Sequence, residues 1–386
     1  MYKITGNTDL KLFHFCFALD PELAGVAKAV TNLCLQTSKF GITHQVASFG
    51  NSNSSRKRGR IFIDDLEKQE IQVISGGSAF TNQYGFGSFL FGLKLLWTHP
   101  RTDAIVLHQL YTFSTLWGWA VGRIHSIPLL LVPHGTLTLY HEKDSKLKKF
   151  IAKKLILNKV IRDCELLIAT SDPEKKDIEK LTGKPVAVIS YGLESKFEGS
   201  HSNYWTNPNL LFVGRFTQKK NLDKLIKAIK ILQPDYPEIR LKAVGYRNTS
   251  EIENLRQLIS GMDLEKFVEL VPWATDVSLE SYYKSADVFV LASENENFGL
   301  VVADALSYGL PCVVSKDVAL STHIQGGNTG IVITDSMPET ISDGIKNCLD
   351  SSFLERKANA RLIVRQELSW ERVSQLWKQT VDELRI

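Results

Sequence analysis

The feature that most constrains the fold is an alternation that runs through the whole 386-residue chain. A short β-branched or aromatic run ends in turn residues and gives way to an amphipathic segment. In the first half the pairs are 12–19 with 24–39, 104–110 with 113–123, and 129–132 with 146–162. In the second they are 210–213 with 222–231, 241–244 with 251–259, and 288–291 with 300–308. Strands alternating with helices predict parallel sheets wound on both faces, an α/β class. The chain is too long for one typical core, so two domains are expected. Residues 194–208 are rich in Ser, Asn, Gly and Glu and poor in aliphatics, and they mark the link. This predicts a first domain over 1–194, a linker over 195–208 and a second domain over 209–368, with a ligand cleft between them.

Charge is uneven between the halves. Residues 1–200 carry 25 Lys and Arg against 18 Asp and Glu, and residues 201–386 carry 21 against 24, so the first half is +7 and the second −3. Much of the excess lies in 146–162, where basic and apolar residues recur at helical spacing. Such a segment is either the solvated face of a core helix or a surface that rests on an anionic membrane or acceptor. Arg56-Lys-Arg-Gly-Arg60 follows a Ser/Asn-rich stretch without interleaved aromatics, which reads as a flexible loop rather than a nucleic-acid patch. The five cysteines show no paired spacing and are expected to be free thiols in a reducing compartment. No signal pattern opens the chain. The apolar region 113–133 is broken by Arg123, His125 and Pro128, so a cytoplasmic protein is expected.

Chemistry concentrates where strands end. Glu294-Asn-Glu-Asn-Phe-Gly-Leu300 lies between a buried run and a helix, the place where an α/β sheet binds ligands and helix amides receive phosphate. Glu296 is thus a carboxylate beside an expected anion site. Gly214-Arg215 ends another strand, with Lys219 and Lys220 at the start of the next helix, a combination suited to a diphosphate. Gly25 follows the first strand and allows backbone approach. Pro133-His134-Gly135 ends a buried strand, so His134 is expected to face the ligand, and His108 less strongly so.

Together these residues resemble the retaining glycosyltransferases of family 4. The resemblance rests on Gly214-Arg215 with Lys220, on Glu296 to Leu300 with Asp304 eight positions after the glutamate, on Pro133-His134-Gly135 and on Gly25-Val-Ala-Lys28. It extends to Ile189-Ser-Tyr-Gly192, Gly326 to Gly330 and the closing Leu368-Ser-Trp370-Glu. It implies the GT-B fold, two Rossmann-like domains facing across a cleft, with residues 369–386 as a helix returning to the first. It also implies roles. Arg215, Lys220, Gly25, Gly214, Phe298, Gly299 and Leu300 would hold the donor diphosphate. Glu296, Asn297, Phe298 and His134 would contact the donor sugar, with Glu296 and His134 as the catalytic pair. Asp304 would meet the ribose, where the family normally has glutamate, and Trp273 and Ala274 the nucleobase. Domain closure would bring His134 to Glu296. Glu294 fails the spacing, since only Glu296 has an acidic residue eight positions on.

The implied donor is a UDP- or GDP-sugar. The implied acceptor is a saccharide or lipid-linked saccharide, in cell-surface polysaccharide synthesis, with peripheral contact to an anionic membrane. No cofactor is expected. No Asp is followed by another two positions on, so the Asp-x-Asp metal motif of the other large glycosyltransferase fold is absent, and clustered His and Cys spacings are absent too. Gly85 to Gly92 has the wrong spacing for a dinucleotide loop. Two further readings share the chain: a sugar-nucleotide epimerase of the same fold, and a non-catalytic sugar-binding module, which would leave Arg215 and Lys220 without a diphosphate.

Overall fold

The structure is a computed structural model that describes residues 10–19, 25–50, 60–76, 86–98, 100–138, 150–196, 207–245, 249–271 and 276–385. Contacts divide the chain into two units, one of residues 1–192 with 370–386 and one of residues 193–369.

The first unit is a seven-stranded parallel sheet. Its strands are β1 (Leu10–Ala18), β2 (Ile42–Gly50), β3 (Gln72–Ser75), β4 (Ala104–His108), β5 (Leu129–Val132), β6 (Leu166–Ala169) and β7 (Val186–Val188), in the order β3-β2-β1-β4-β5-β6-β7. The chain therefore starts in the middle, winds outward to β3, returns beside β1 and winds the other way. At that reversal the helices that follow β1 and β4 pack on opposite faces of the sheet, the arrangement that in α/β sheets puts ligands at the strands' carboxyl ends. Burial follows the two-residue period of the strands. Phe13, Phe15, Ile105, Leu107, Leu129 and Leu131 pack one face against the helices Phe86–Leu96, Phe113–His125 and Phe150–Asp163. Leu10, Leu12, Val106, Leu130 and Val132 pack the other. That second face is closed by α1 (Gly25–Ser38) and by the last helix, Trp370–Asp382. Trp370, Val373, Trp377 and Val381 of the last helix lie in the same core. A Cβ on Gly192 would overlap the Trp370 ring, so glycine is what lets the indole seat there.

The second unit is a six-stranded parallel sheet: β8 (Asn209–Val213), β9 (Arg240–Val244), β10 (Val268–Val271), β11 (Val288–Leu291), β12 (Cys312–Ser315) and β13 (Gly330–Ile333). Its order, β10-β9-β8-β11-β12-β13, repeats the same reversal between β8 and β11. Lys196 N–H bonds Ser307 O at 2.9 Å, so the chain after residue 193 runs along this unit. Most of the proposed linker, residues 197–206, lies outside the described residues, as do Arg56 to Gly59, Gly85 and 146–149. Arg60, expected in a flexible loop, instead opens the helix Arg60–Lys68. From Leu157 onward the basic segment is a helix with Leu157 and Val160 buried and Lys159 and Arg162 exposed, as either reading of it requires. All five cysteines are free and buried. Among the described residues no helix is long and apolar enough to cross a membrane.

Candidate active site

In the second unit the residues gather at the carboxyl ends of β8 and β11, the strands on either side of the reversal. After β8, Gly214 N–H still bonds Val244 O (2.9 Å), and Arg215 is exposed. Lys219 and Lys220, expected at the start of an α-helix, lie instead on one 3-10 turn, Gln218–Lys220. Asn221 ends that turn in the left-handed region (φ 53°) before the helix Leu222–Leu232 begins, and its side-chain amide donates to Ala292 O at 2.8 Å. The turn is thereby pinned to the loop after β11, and Glu294 N–H on Lys219 O (3.0 Å) adds a second tie.

The loop after β11 is stitched on its other side as well. Glu296 N–H bonds Asp317 O and Ala319 N–H bonds Glu296 O, both at 3.0 Å, in an isolated parallel bridge. With its backbone fixed, Glu296 turns its carboxylate onto the Lys220 ammonium and accepts from Ser293 Oγ at 3.3 Å. The two charged side chains are only 12% and 18% exposed, whereas Glu294 is exposed. Gly299 then adopts φ 91°, a conformation costly for any residue with a Cβ, and caps the helix Leu300–Ser307. The first amides of a helix have no intrahelical acceptor, so this end can receive an anion.

Burial, Lys219 and Arg215 together draw the Lys220 ammonium down to about 7. The contacting Glu296 carboxylate opposes them. At direct contact and low exposure its attraction dominates, and the two form an ion pair. The cation expected at the diphosphate and the carboxylate expected at the sugar are therefore partners when no ligand is present. Phe298 is buried, Asn297 and Leu300 are half-buried, and Asp304 lies one turn into the helix; burial and then Asp304 raise the Tyr283 phenol, and burial, Glu280 and Asp304 raise that of Tyr308. Trp273 and Ala274 lie outside the described residues.

In the first unit Gly25 is the first residue of α1, and no atom comes within 4 Å of where its Cβ would stand. His134 and Gly135 are both left-handed (φ 52° and 79°). The buried Glu174 carboxylate clamps this turn, accepting from Gly135 N–H at 2.6 Å and from the Thr170 amide and hydroxyl at 2.7 and 2.8 Å.

The His134 ring was expected to bond the sugar, yet both of its nitrogens are engaged. Nδ1 meets Tyr191 OH at 2.5 Å and Nε2 meets His108 Nδ1 at 2.8 Å. The bonds continue inward from His108 Nε2 to His14 Nδ1 (2.9 Å), from His14 Nε2 to His44 Nδ1 (2.9 Å) and from His44 Nε2 to Thr37 Oγ1 (2.8 Å). His108 is thus buried inside a row of four imidazoles and does not face the ligand crevice. Sequence reading missed this row. Its one trace is a histidine at an even-numbered position, the α1-facing side, on β1, β2 and β4 and in the turn after β5. The same row brings ligand atoms of His14, Cys34 and His44 within 4.8 Å of one another, a His/Cys cluster that spacing did not show. The ring nitrogens there are already bonded to each other, and burial with the neighbouring Cys16 holds the Cys34 thiol well above its usual range.

Residues 23–196 match the family described as Glycosyltransferase Family 4, and residues 195–365 match Glycosyl transferases group 1. A D-inositol 3-phosphate glycosyltransferase of Pseudarthrobacter chlorophenolicus is 26% identical over 294 residues, 72% of this chain and 69% of that protein. Among solved structures, Anabaena HepE in complex with UDP and glucose superposes with a TM-score of 0.76 at 18% identity, covering 97% of this chain and 100% of that one. TarM gives 0.78 at 12% identity, covering 98% and 100%. The fold is GT-B. With residues 23–365 matched in two adjoining blocks, this chain belongs to the family 4, group 1 glycosyltransferases and is a glycosyltransferase.

Proposed function

We propose that this glycosyltransferase moves a hexosyl unit, with retention of anomeric configuration, from a nucleotide-diphosphate sugar to a saccharide or lipid-linked saccharide in cell-surface polysaccharide synthesis. The observation that carries the donor half is the Lys220–Glu296 pair beside the Gly299-capped helix. On this reading the diphosphate takes Lys220, Arg215 and the amides from Asn297 to Leu300, which answer the negative charge on the leaving group. Glu296, released from Lys220, accepts hydrogen bonds from the sugar and favours its positive charge. Asp304 reaches the ribose. The solved complex of HepE with UDP and glucose supports a uridine donor. Screening UDP- and GDP-sugars by thermal shift, then assaying nucleotide release with and without EDTA, tests the reading. One UDP-hexose should stabilise the chain and turn over equally in chelator; stabilisation by none, or turnover abolished by EDTA, would count against it.

We also propose that the enzyme acts in the cytoplasm at the inner face of the membrane. The helix Phe86–Leu96 supports this, because Phe89, Leu90 and Leu93 along it and Trp97 just beyond it are exposed, within the half that carries the +7 balance. Apolar side chains backed by positive charge suit an anionic interface. Flotation with anionic liposomes at low salt should carry the protein upward. Replacing Trp97 and Leu90 by Ser should leave it at the bottom, and unchanged flotation of that variant would show that this face is not the contact.

A further inference from the structure

The protons in the row from Tyr191 to Thr37 can be counted. A neutral imidazole carries one N–H and one lone pair, and each nitrogen–nitrogen contact holds one proton, because two N–H groups or two lone pairs face to face make no bond. The three contacts that join His134, His108, His14 and His44 therefore hold three. The far end holds a fourth. Thr37 Oγ1 donates to Leu33 O at 2.6 Å, so it accepts from His44 Nε2–H. Four protons are all that four neutral rings carry. Each ring is then Nε2–H, which leaves neither imidazole of the His14–Cys34–His44 cluster a lone pair for an ion. A fifth proton has one place to go, His134 Nδ1, and only if the Tyr191 hydroxyl turns there from donor to acceptor. A sixth has none.

The surroundings favour neutral rings. The buried residues of α1 and of the last helix are uncharged. Burial raises the thiols of Cys16 on β1 and Cys34 on α1, and burial with Glu174 raises the Tyr191 phenol, so all three keep their protons in acid. The Glu174 carboxylate, near the His134 turn, already accepts from Gly135 and Thr170. Burial draws His14 and His134 to about 3, and burial with the neighbouring rings draws His44 and His108 well below the usual range. These folded values lie below that of an unfolded histidine. The row's contribution to stability is therefore whole above about pH 6.5 and is lost as the pH falls from there toward 3. We propose that the row is an acid-sensitive latch on the first unit: folded, it takes at most one proton beyond its neutral complement, while the unfolded chain takes four, so a fall in pH opens this unit with uptake of at least three protons and spares the second. Among the described residues the second unit has one histidine, His323, with its side chain 29% exposed. The latch does not rest on the reading of the reaction above.

Calorimetry of the full chain at about pH 7.5 and about pH 5.5, on either side of the unfolded histidine value, tests the latch. Limited proteolysis shows which residues have opened. Between those conditions each ring kept neutral lowers the folded-to-unfolded ratio of its unit roughly tenfold, so three lower it roughly a thousandfold. The transition of the first unit should fall by roughly 10 °C relative to that of the second. No fall, or an equal fall in both, overturns the latch. His44→Asn removes one titrating ring and should weaken the pH response roughly tenfold; an undiminished response belongs to other groups and overturns the latch. Where that variant does not fold, nitrogen-15 NMR of the histidine-labelled wild-type chain supplies the second test. At about pH 5.5, where an ordinary histidine is charged, the folded chain should show at most one imidazolium among these four rings, and two would overturn the proton count and the latch with it.

Discussion

Glu296→Gln is expected to lower kcat by two to three orders of magnitude, roughly the cost of removing one preorganised electrostatic partner, while tightening the binding of UDP alone. The two effects have opposite signs because Glu296 has two partners. In the free enzyme its carboxylate holds Lys220, so a diphosphate must displace it. On the proposed reading, the same carboxylate becomes the negative charge beside the sugar in the reacting complex. Glutamine keeps the shape and loses the charge, which frees Lys220 for the nucleotide and deprives the transition state. The gain in affinity should be read at about pH 6, where an ordinary amine is protonated. With the carboxylate gone, burial, Lys219 and Arg215 pull Lys220 toward about 7, and above that value the cation that attracts the diphosphate is lost. Calorimetry with UDP and steady-state kinetics on one preparation give both readouts. If kcat is near normal, Glu296 is not at the sugar; if UDP binding weakens along with kcat, the ion pair does not compete with the nucleotide. Glu294→Gln, a change at an exposed neighbour, should leave both within about twofold, as expected for a surface substitution.

The contrast between those two glutamates shows what the sequence carries. Spacing to Asp304 already separated Glu296 from Glu294, and the structure supplies the reason in three-dimensional terms: the backbone of Glu296 is bridged to Val318. The strands in the middle of both sheets were legible because parallel strands buried on both faces read as unbroken apolar runs, as in Leu129–Val132 and Val288–Leu291. Ile42–Gly50 was harder to see, since Thr43, His44, Gln45 and Ser48 interrupt it. The Lys220–Glu296 pair could not be read at all. It depends on β8 lying beside β11, a neighbour relation set by the reversal of strand order and not by any local pattern. The histidine row was hidden for the same reason. His44, His14, His108 and His134 each look like a lone polar residue at a strand position, and only the order β2-β1-β4-β5 sets them in line.

The largest loss of stability is expected from Trp370→Ala, a cost of about 3–5 kcal/mol. Trp370 is 8% exposed, lies over Gly192 and shares a core with Leu10, Leu12, Ile42, Val106 and Leu130. The glycine opposite has no side chain with which to fill the space, so the cavity would stay open, and residual cavity volume is what raises the cost of large-to-small changes. Because Trp370–Ile386 belongs to the first unit, the loss should fall there. In calorimetry that unit's transition should drop by roughly 10 °C for a unit of this size, while the transition of residues 193–369, which have their own sheet, stays in place. Trp97→Ala is the matched control: at 85% exposure it removes the same side chain from solvent and should change stability by less than about 0.5 kcal/mol. A loss below about 1 kcal/mol for Trp370→Ala, within the range of an ordinary substitution, would mean that the last helix is a cover on the first sheet and not part of its core. Equal shifts in both transitions would mean that the units unfold as one, and the two-unit division would then describe contacts without describing cooperativity.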